Sequence, residues 1–320
     1  MKLKVVGLQS GPNQAGGSYS ERIKELTTQF NEAVEAVPNV DLIVFPELVT
    51  TPYFCKINDP SFFDLAEPVD GETFQYFSEK AKAAGVYIIL PIFEKDESEG
   101  RTEYYNTAVV IGNDGSLVGS YRKTHIPKLC LATLTTDETL YFKRGTSYPV
   151  FEIKGYKVGI LICFDRSFPE AARALALQGA ELIVIPTAAG GEERKNAWLS
   201  ECQARARENG LYVVGVNKAG DEVITTQSEE VQSSFFGLSC GFGPDGVAVV
   251  PNLDSEPWQM LSLEVDRQKV KECREKLNFL DFLQGDLYSA YSDELQKIRA
   301  YPVENETSPL FGPKGVVTID

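Results

Sequence analysis

The chain has 320 residues, enough to bury a large core, and its 43% hydrophobic and 24% charged content excludes a disordered chain. It carries 31 Lys and Arg against 46 Asp and Glu, a net charge of −15, which argues against a nucleic-acid partner because phosphate contacts need clustered cations. The single histidine, His125, excludes a His-rich metal site, and no metal or other cofactor is expected.

Six cysteines at 55, 130, 163, 202, 240 and 273 form no CxxC pair. In a chain of this length the simpler reading is reduced thiols in the cytoplasm, not a disulfide scaffold or a zinc ribbon. The first residues turn polar too soon for a signal peptide, and no run approaches the length of a membrane span, so no membrane contact is expected.

Strand-like and helix-like segments alternate along the chain. Residues 2–9 read as a strand. Residues 18–37 read as a helix with Ile23, Leu26, Phe30, Val34 and Val37 on one stripe. The run DLIVF at 41–45 is a buried strand, 72–84 a helix closing on Gly85, and 86–93 a strand. Segments 105–112 and 116–123 flank the hairpin signal Asn113-Asp114-Gly115. Strands follow at 150–153 and 157–163, a helix at 168–178, a strand at 181–185, and a helix at 192–209 closing on Gly210. Four strands are expected at 211–216, 235–242, 247–250 and 260–265, then a helix at 267–277 and a shorter one at 292–299.

Two stretches echo each other. DLIVFP at 41–46 and ELIVIP at 181–186 each follow a helix and lead to a later helix, a glycine and a second apolar strand. Two similar α-β halves are implied, with sheets covered on both faces. The hairpins argue against a pure doubly wound sheet. Residues 1–300 read as a single domain and 301–320 as an extended tail.

Three chemistry-bearing sites follow apolar strands, where ligands usually bind in layered α/β folds. They are Glu47 in FPEL at 45–48, Lys123 in YRKTH at 121–125, and Cys163 in ILICFDR at 160–166. The chemistry that fits is attack by a thiolate on an amide-type carbon, with release of the acyl-enzyme by water. A buried glutamate would supply the base, and a lysine with a backbone N–H would stabilise the oxyanion. Singly, each residue has a plainer reading: Cys163 as core, Glu47 as a cap, Lys123 as a surface cation. His125 reads as a structural or pocket-wall residue.

Taken together, Glu47, Lys123 and Cys163 resemble the Glu-Lys-Cys signature of the nitrilase superfamily, the carbon–nitrogen hydrolases. YRKTHIP at 121–127, CFDRSFPEAAR at 163–173, VNKAG at 216–220 and FGLS at 236–239 agree in order and spacing. The resemblance implies an α/β fold, a four-layer α-β-β-α sandwich that dimerises through its helices. It implies Cys163 as nucleophile, Glu47 as general base and acid, and Lys123 with the Phe164 N–H as oxyanion stabilisers. Glu138 matches a second glutamate that holds the lysine.

Cys163-Phe164-Asp165 resembles the amidase and carbamoylase branches, where true nitrilases have Cys-Trp-Glu. Arg166, three residues after the nucleophile, resembles the arginine of amino-acid-type carbamoylases and is expected to grip a substrate carboxylate. The plainer alternative is an ion pair with Glu170. Ser167 and Thr136 depart from the D-amino-acid carbamoylases, and 281–288 lacks their arginines. Tyr53, Phe54, His125, Thr187 and Trp198 are expected to wall the pocket. The expected enzyme is a thiol amidohydrolase acting on a small N-carbamoyl amino acid or related carbamoyl or amide compound. An aliphatic amidase, an N-carbamoylputrescine amidase and a catalytically silent scaffold are the alternatives.

Overall fold

The computed structural model describes residues 2–13, 17–98, 100–130, 135–227 and 229–299. The tail expected at 301–320 lies outside the described residues. The described chain comprises a unit within Met1–Asn278 and a second beginning at Phe279.

In chain order the first half contains β1 (Leu3–Gln9), α1 (Tyr19–Ala36), β2 (Leu42–Val44), α2 (Glu72–Ala84), β3 (Tyr87–Asp96), β4 (Glu103–Ile111) and β5 (Leu117–Arg122). Two short strands, β6 (Lys128–Cys130) and β7 (Thr135–Asp137), pair with each other. The second half contains β8 (Val150–Ile153), β9 (Tyr156–Ile160), α3 (Pro169–Leu177), β10 (Leu182–Thr187), α4 (Glu192–Asn209) and β11 (Tyr212–Asn217). After these come β12 (Ala219–Thr225), β13 (Glu230–Phe236), β14 (Cys240–Phe242), β15 (Gln259–Val265) and α5 (Arg267–Lys276). In the second unit, α6 (Gly285–Arg299) is the main element.

Two mixed sheets make the centre. One has the order β15-β1-β2-β3-β4-β5, the other β14-β11-β10-β9-β8. Their cores are parallel, β1-β2-β3 and β9-β10-β11, with antiparallel strands at the edges. The apolar runs of β2 and β10 are buried throughout, as strands covered on both faces require. Helices α1 and α2 pack on the first sheet, and α3 and α4 lie along the second, giving the α-β-β-α sandwich. The sheets approach so closely at β1 and β11 that a Cβ on Gly7 would come within 2.7 Å of Val216.

The sequence echo is real in space. DLIVFP carries β2 and ELIVIP carries β10, each the central parallel strand of its half. α1 begins at Ser18, whose hydroxyl accepts from the Glu21 N–H while the Glu21 carboxylate accepts from the Ser18 N–H, a capping box. α2 and α4 end on Gly85 and Gly210, both left-handed.

Two strand expectations need correction. Residues 235–242 do not form one strand, because the chain turns left-handed at Gly237 and Leu238 between β13 and β14. A Cβ on Gly237 would come within 2.5 Å of the Asp254 carbonyl, so the close approach itself demands glycine. Residues 247–250 hold only an isolated bridge from Ala248 to Phe242, on the far side of the Gly243–Gly246 turn. Neither β12 nor the β6–β7 pair is among the expected strands, and β13 runs from Glu230 to Phe236, ahead of the strand expected from 235.

Candidate active site

The two central strands aim their ends at each other. Pro46 and Glu47 follow β2, and Ala188 follows β10; the Ala188 N–H donates to Glu47 Oε2 at 2.8 Å. Lys123 follows β5 directly and Cys163 follows β9 by three residues. Equivalent ends of two repeated halves thus deliver an acid, a cation and a thiol to one place.

Lys123 is the hub of that place. Its Nζ donates to Glu47 Oε1 at 2.8 Å and to Glu138 Oε2 at 2.7 Å, and all three side chains are fully buried. Asn106 Nδ2 donates to Glu47 Oε1 at 2.8 Å, and the Tyr53 hydroxyl to Glu138 Oε1 at 2.8 Å. A buried ammonium between two carboxylates is tenable only with such complete pairing. Burial works against the charge on Lys123, but Glu138 and Glu47 outweigh it and raise its pKa. Burial pushes Glu47 up, yet Lys123 and Asn106 hold it below the usual glutamate range. Glu138 is raised, by burial first and by the charge on Glu47. Glu47 is therefore the readier anion of the two and Glu138 the more reluctant one, although both share the same lysine.

Cys163 lies in a single tight turn, Cys163–Ser167, and its φ is +48°, a left-handed value for a side-chain-bearing residue. Such a conformation costs roughly 1–2 kcal/mol. Asp165 holds it. Its buried carboxylate accepts from the Ile162 N–H and the Tyr121 hydroxyl on one oxygen. The other oxygen accepts from the His125 N–H, the Thr124 hydroxyl and, at 2.8 Å, His125 Nδ1. Asp165 thus ties the thiol's turn to the segment that carries Lys123. Burial raises the Cys163 thiol, while Arg194 and Lys123 favour its thiolate and Glu47 opposes it.

The other expected residues fall into three groups. Tyr53 lines a cavity of about 320 Å³ together with Ala188, Gly190, Arg194, Lys195 and Phe235. Thr187 is buried beside it, its hydroxyl donating to its own strand at the Ile185 carbonyl, 3.1 Å. Phe164 stands half-buried, edge-on to Phe168. His125 stacks on Phe168 at 3.7 Å with its Nδ1 on Asp165, so its ring braces the turn and does not line the cavity. Phe54 belongs to an aromatic cluster with Phe62, Phe93 and Tyr141, and Trp198 is core, donating to the Leu238 carbonyl at 2.7 Å.

Arg166 corrects the reading made from spacing. Its side chain is buried, with Nη1 donating to the Cys163 carbonyl at 2.8 Å and Nε 2.9 Å from Glu201, and its guanidinium lies over the Trp198 ring. It does not line the cavity, and its acid partner is Glu201, one turn from Trp198 on α4, instead of Glu170. The guanidinium that meets the thiol is Arg194, in the first turn of α4: its Nη2 lies 2.7 Å from Cys163 Sγ. No sequence pattern marked Arg194, whose place depends on where α4 begins.

A buried thiol, an acid and a lysine held by a second acid, at strand ends in a four-layer sandwich, define a class: thiol hydrolases of small amide-like molecules. Comparison with known proteins agrees. Residues 9–275 match the carbon-nitrogen hydrolase family, and the chain belongs to it. It is a hydrolase acting on carbon–nitrogen bonds. The N-carbamoylputrescine amidase of Arabidopsis thaliana is 34% identical over 256 residues, 78% of this chain and 83% of that protein. The beta-ureidopropionase of the same plant is 30% identical, covering 87% of this chain and 69% of that one. The crystal structure of a carbon-nitrogen hydrolase from Helicobacter pylori G27 superposes with a TM-score of 0.80 at 30% identity, covering 90% and 98% of the two chains.

Proposed function

We propose that the enzyme hydrolyses a small N-carbamoyl compound carrying a carboxylate, through a covalent intermediate on Cys163. The observation that carries this reading is the cluster itself: Lys123 bonded to both Glu47 and Glu138, with the thiol close enough for Glu47, Lys123 and Arg194 to shift its proton affinity.

Each step follows from those groups. Glu47 takes the thiol proton as sulfur attacks the carbamoyl carbon, and the C–S bond forms. The oxyanion is met by the Lys123 ammonium and the Phe164 N–H. As the tetrahedral intermediate collapses, the C–N bond to the amine breaks and Glu47 returns its proton to the leaving nitrogen. Water, deprotonated by Glu47, then attacks the carbamoyl thioester; sulfur leaves as the thiol, and carbamic acid falls apart to carbon dioxide and ammonia. Glu138 keeps Lys123 in place throughout.

The carboxylate preference rests on Arg194 and Lys195 lining the cavity, with Lys56 at its other wall. A second reading, an N-carbamoylputrescine amidase, is favoured by the resemblance to that plant enzyme and by Glu192 on the same lining, but Glu192 is 3.6 Å from Lys195 and the buried Arg194 opposes an amine-bearing arm. The free thiols described at Cys55, Cys163, Cys202, Cys240 and Cys273 fit a reducing cytoplasm. A homodimer packed through its helix layers completes the proposal; Leu177 on α3, 62% exposed, is an apolar residue suited to such a face.

The test is ammonia release from an N-carbamoyl amino acid, N-carbamoylputrescine and an aliphatic amide. Cys163→Ala should stay folded and lose about 10⁴-fold or more in kcat. Substantial turnover in that variant, or preference for the putrescine compound in the wild type, defeats the proposal.

A further inference from the structure

Cys163, Glu47 and Lys123 are all fully buried, and none of them lines the cavity that opens beside them. Arg194 does line it, and reaches from that wall to the sulfur with Nη2 at 2.7 Å. The guanidinium therefore stands between the cavity and the nucleophile. Its Nε–H, on the same edge of the planar group as Nη2, is buried without any hydrogen-bond partner, although the residue as a whole is only 7% exposed. An orphaned buried donor of this kind is costly and calls for an acceptor. The edge holds one weak acceptor, a thiol sulfur, and one vacancy in its hydrogen bonding. A carboxylate offers two oxygens at the spacing of that fork and a full negative charge.

We propose that Arg194 is the specificity-determining residue of this site: it covers the Cys163 sulfur until a carboxylate on the amine side of the substrate's scissile bond takes its Nε–Nη2 edge. The exchange uncovers the thiol and sets the carbamoyl carbon beside it in one movement. A neutral substrate offers nothing to draw the guanidinium away, and a cationic one is repelled by Arg194, since the charge of Lys195 is shared with Glu192 at 3.6 Å. The substrate half of this inference rests on the carbamoyl-hydrolase reading; the covering of the thiol does not.

Both halves are measurable on the intact enzyme. Iodoacetate and iodoacetamide are nearly the same size, and only the first carries a carboxylate. Alkylation rates at Cys163, followed by mass spectrometry, give the iodoacetate-to-iodoacetamide ratio for wild type, Arg194→Gln and Arg194→Lys. The ratio should fall about ten- to a hundredfold in Arg194→Gln, the range a charged hydrogen bond carries, and by less in Arg194→Lys. An unchanged ratio in both variants, with thermal melting intact, overturns the proposal. If Arg194→Gln fails to fold, Arg194→Lys decides alone, since it retains charge without the fork.

In turnover, N-carbamoylglycine is compared with its neutral amide, N-carbamoylglycinamide. Arg194→Gln should raise the ratio of KM for the first to KM for the second about tenfold or more, whatever it does to the rate on both through the thiol. Equal use of both compounds by the wild type overturns the role of Arg194 while leaving the hydrolase reading intact. Ammonia from neither compound defeats the substrate reading, and the alkylation ratio still decides whether Arg194 covers the thiol.

Discussion

Lys123 shows why position along a strand is insufficient to define a site. An isolated buried ammonium would lose its proton, yet here two carboxylates at 2.8 and 2.7 Å keep it charged. Under the proposed mechanism, Glu138 acts on turnover through Lys123. Glu138→Gln preserves size and can still accept from Tyr53, but it removes one of the two charges that keep Lys123 protonated. The expected outcome is a fall in kcat of about a hundredfold with KM changed much less and melting temperature nearly kept. A proportional loss in kcat and stability together would make Glu138 a mere core partner. The same scale explains which residues could be read in advance. Glu47, Lys123, Glu138 and Cys163 stand in motifs whose order along the chain carries the resemblance. Arg166 was misplaced because spacing after a cysteine does not fix which way a side chain points; one turn packs it under Trp198 and against Glu201. Arg194 was missed because its role arises from where α4 begins, which only the folded chain decides.

At the scale of elements, strands with continuous apolar runs and helices with clear caps were legible, since burial on both faces and the capping groups are local properties. α2 and α4 match their expected bounds. The β12–β13 hairpin was not legible. Its strands mix polar and apolar residues, as in Asp221, Glu222, Gln232 and Ser233, because one of its partners is a buried acid: Glu222 accepts from the Tyr53 N–H at 2.6 Å. This hairpin meets the start of α4 through a bridge between Gly190 and Phe235, and together they wall the cavity. A Cβ on Gly190 would come within 2.0 Å of the Ser234 carbonyl, a backbone atom that cannot swing aside. Gly190→Ala is therefore expected to lower stability by about 2 kcal/mol or more and to cut kcat/KM, because the hairpin must shift away from Arg194. Urea unfolding with parallel kinetics checks both; a variant with wild-type stability would show that the hairpin is free to give way.

Across the whole molecule, the close fit of the two sheets leaves charged groups in places where only pairing or proton loss can accommodate them. Lys218 is such a group: fully buried between β11 and β12, it donates to the Thr51 carbonyl at 3.1 Å and lies over the Phe235 ring. Burial pushes its pKa down to about 8, against the pull of Glu222 and with the help of Arg22. In the unfolded chain the same lysine titrates near 10.4. Between about pH 8 and 10 the unfolded state therefore holds a proton that the folded state has lost, and stability rises with pH through that window. The gain is about 3 kcal/mol at most, from a displacement of little more than two pH units. Other groups titrate in the same range, so the measurement is a difference: urea unfolding of wild type and Lys218→Met at pH 7 and at pH 10. Lys218→Met should be relatively more stable at pH 7, where the wild type still carries a buried charge, and that advantage should shrink or vanish at pH 10. A difference that stays constant across the window would mean that Lys218 remains charged in the fold. Glu222 would then be its full counter-ion, and the hairpin that walls the active-site cavity would be pinned by an ion pair in place of a neutral amine.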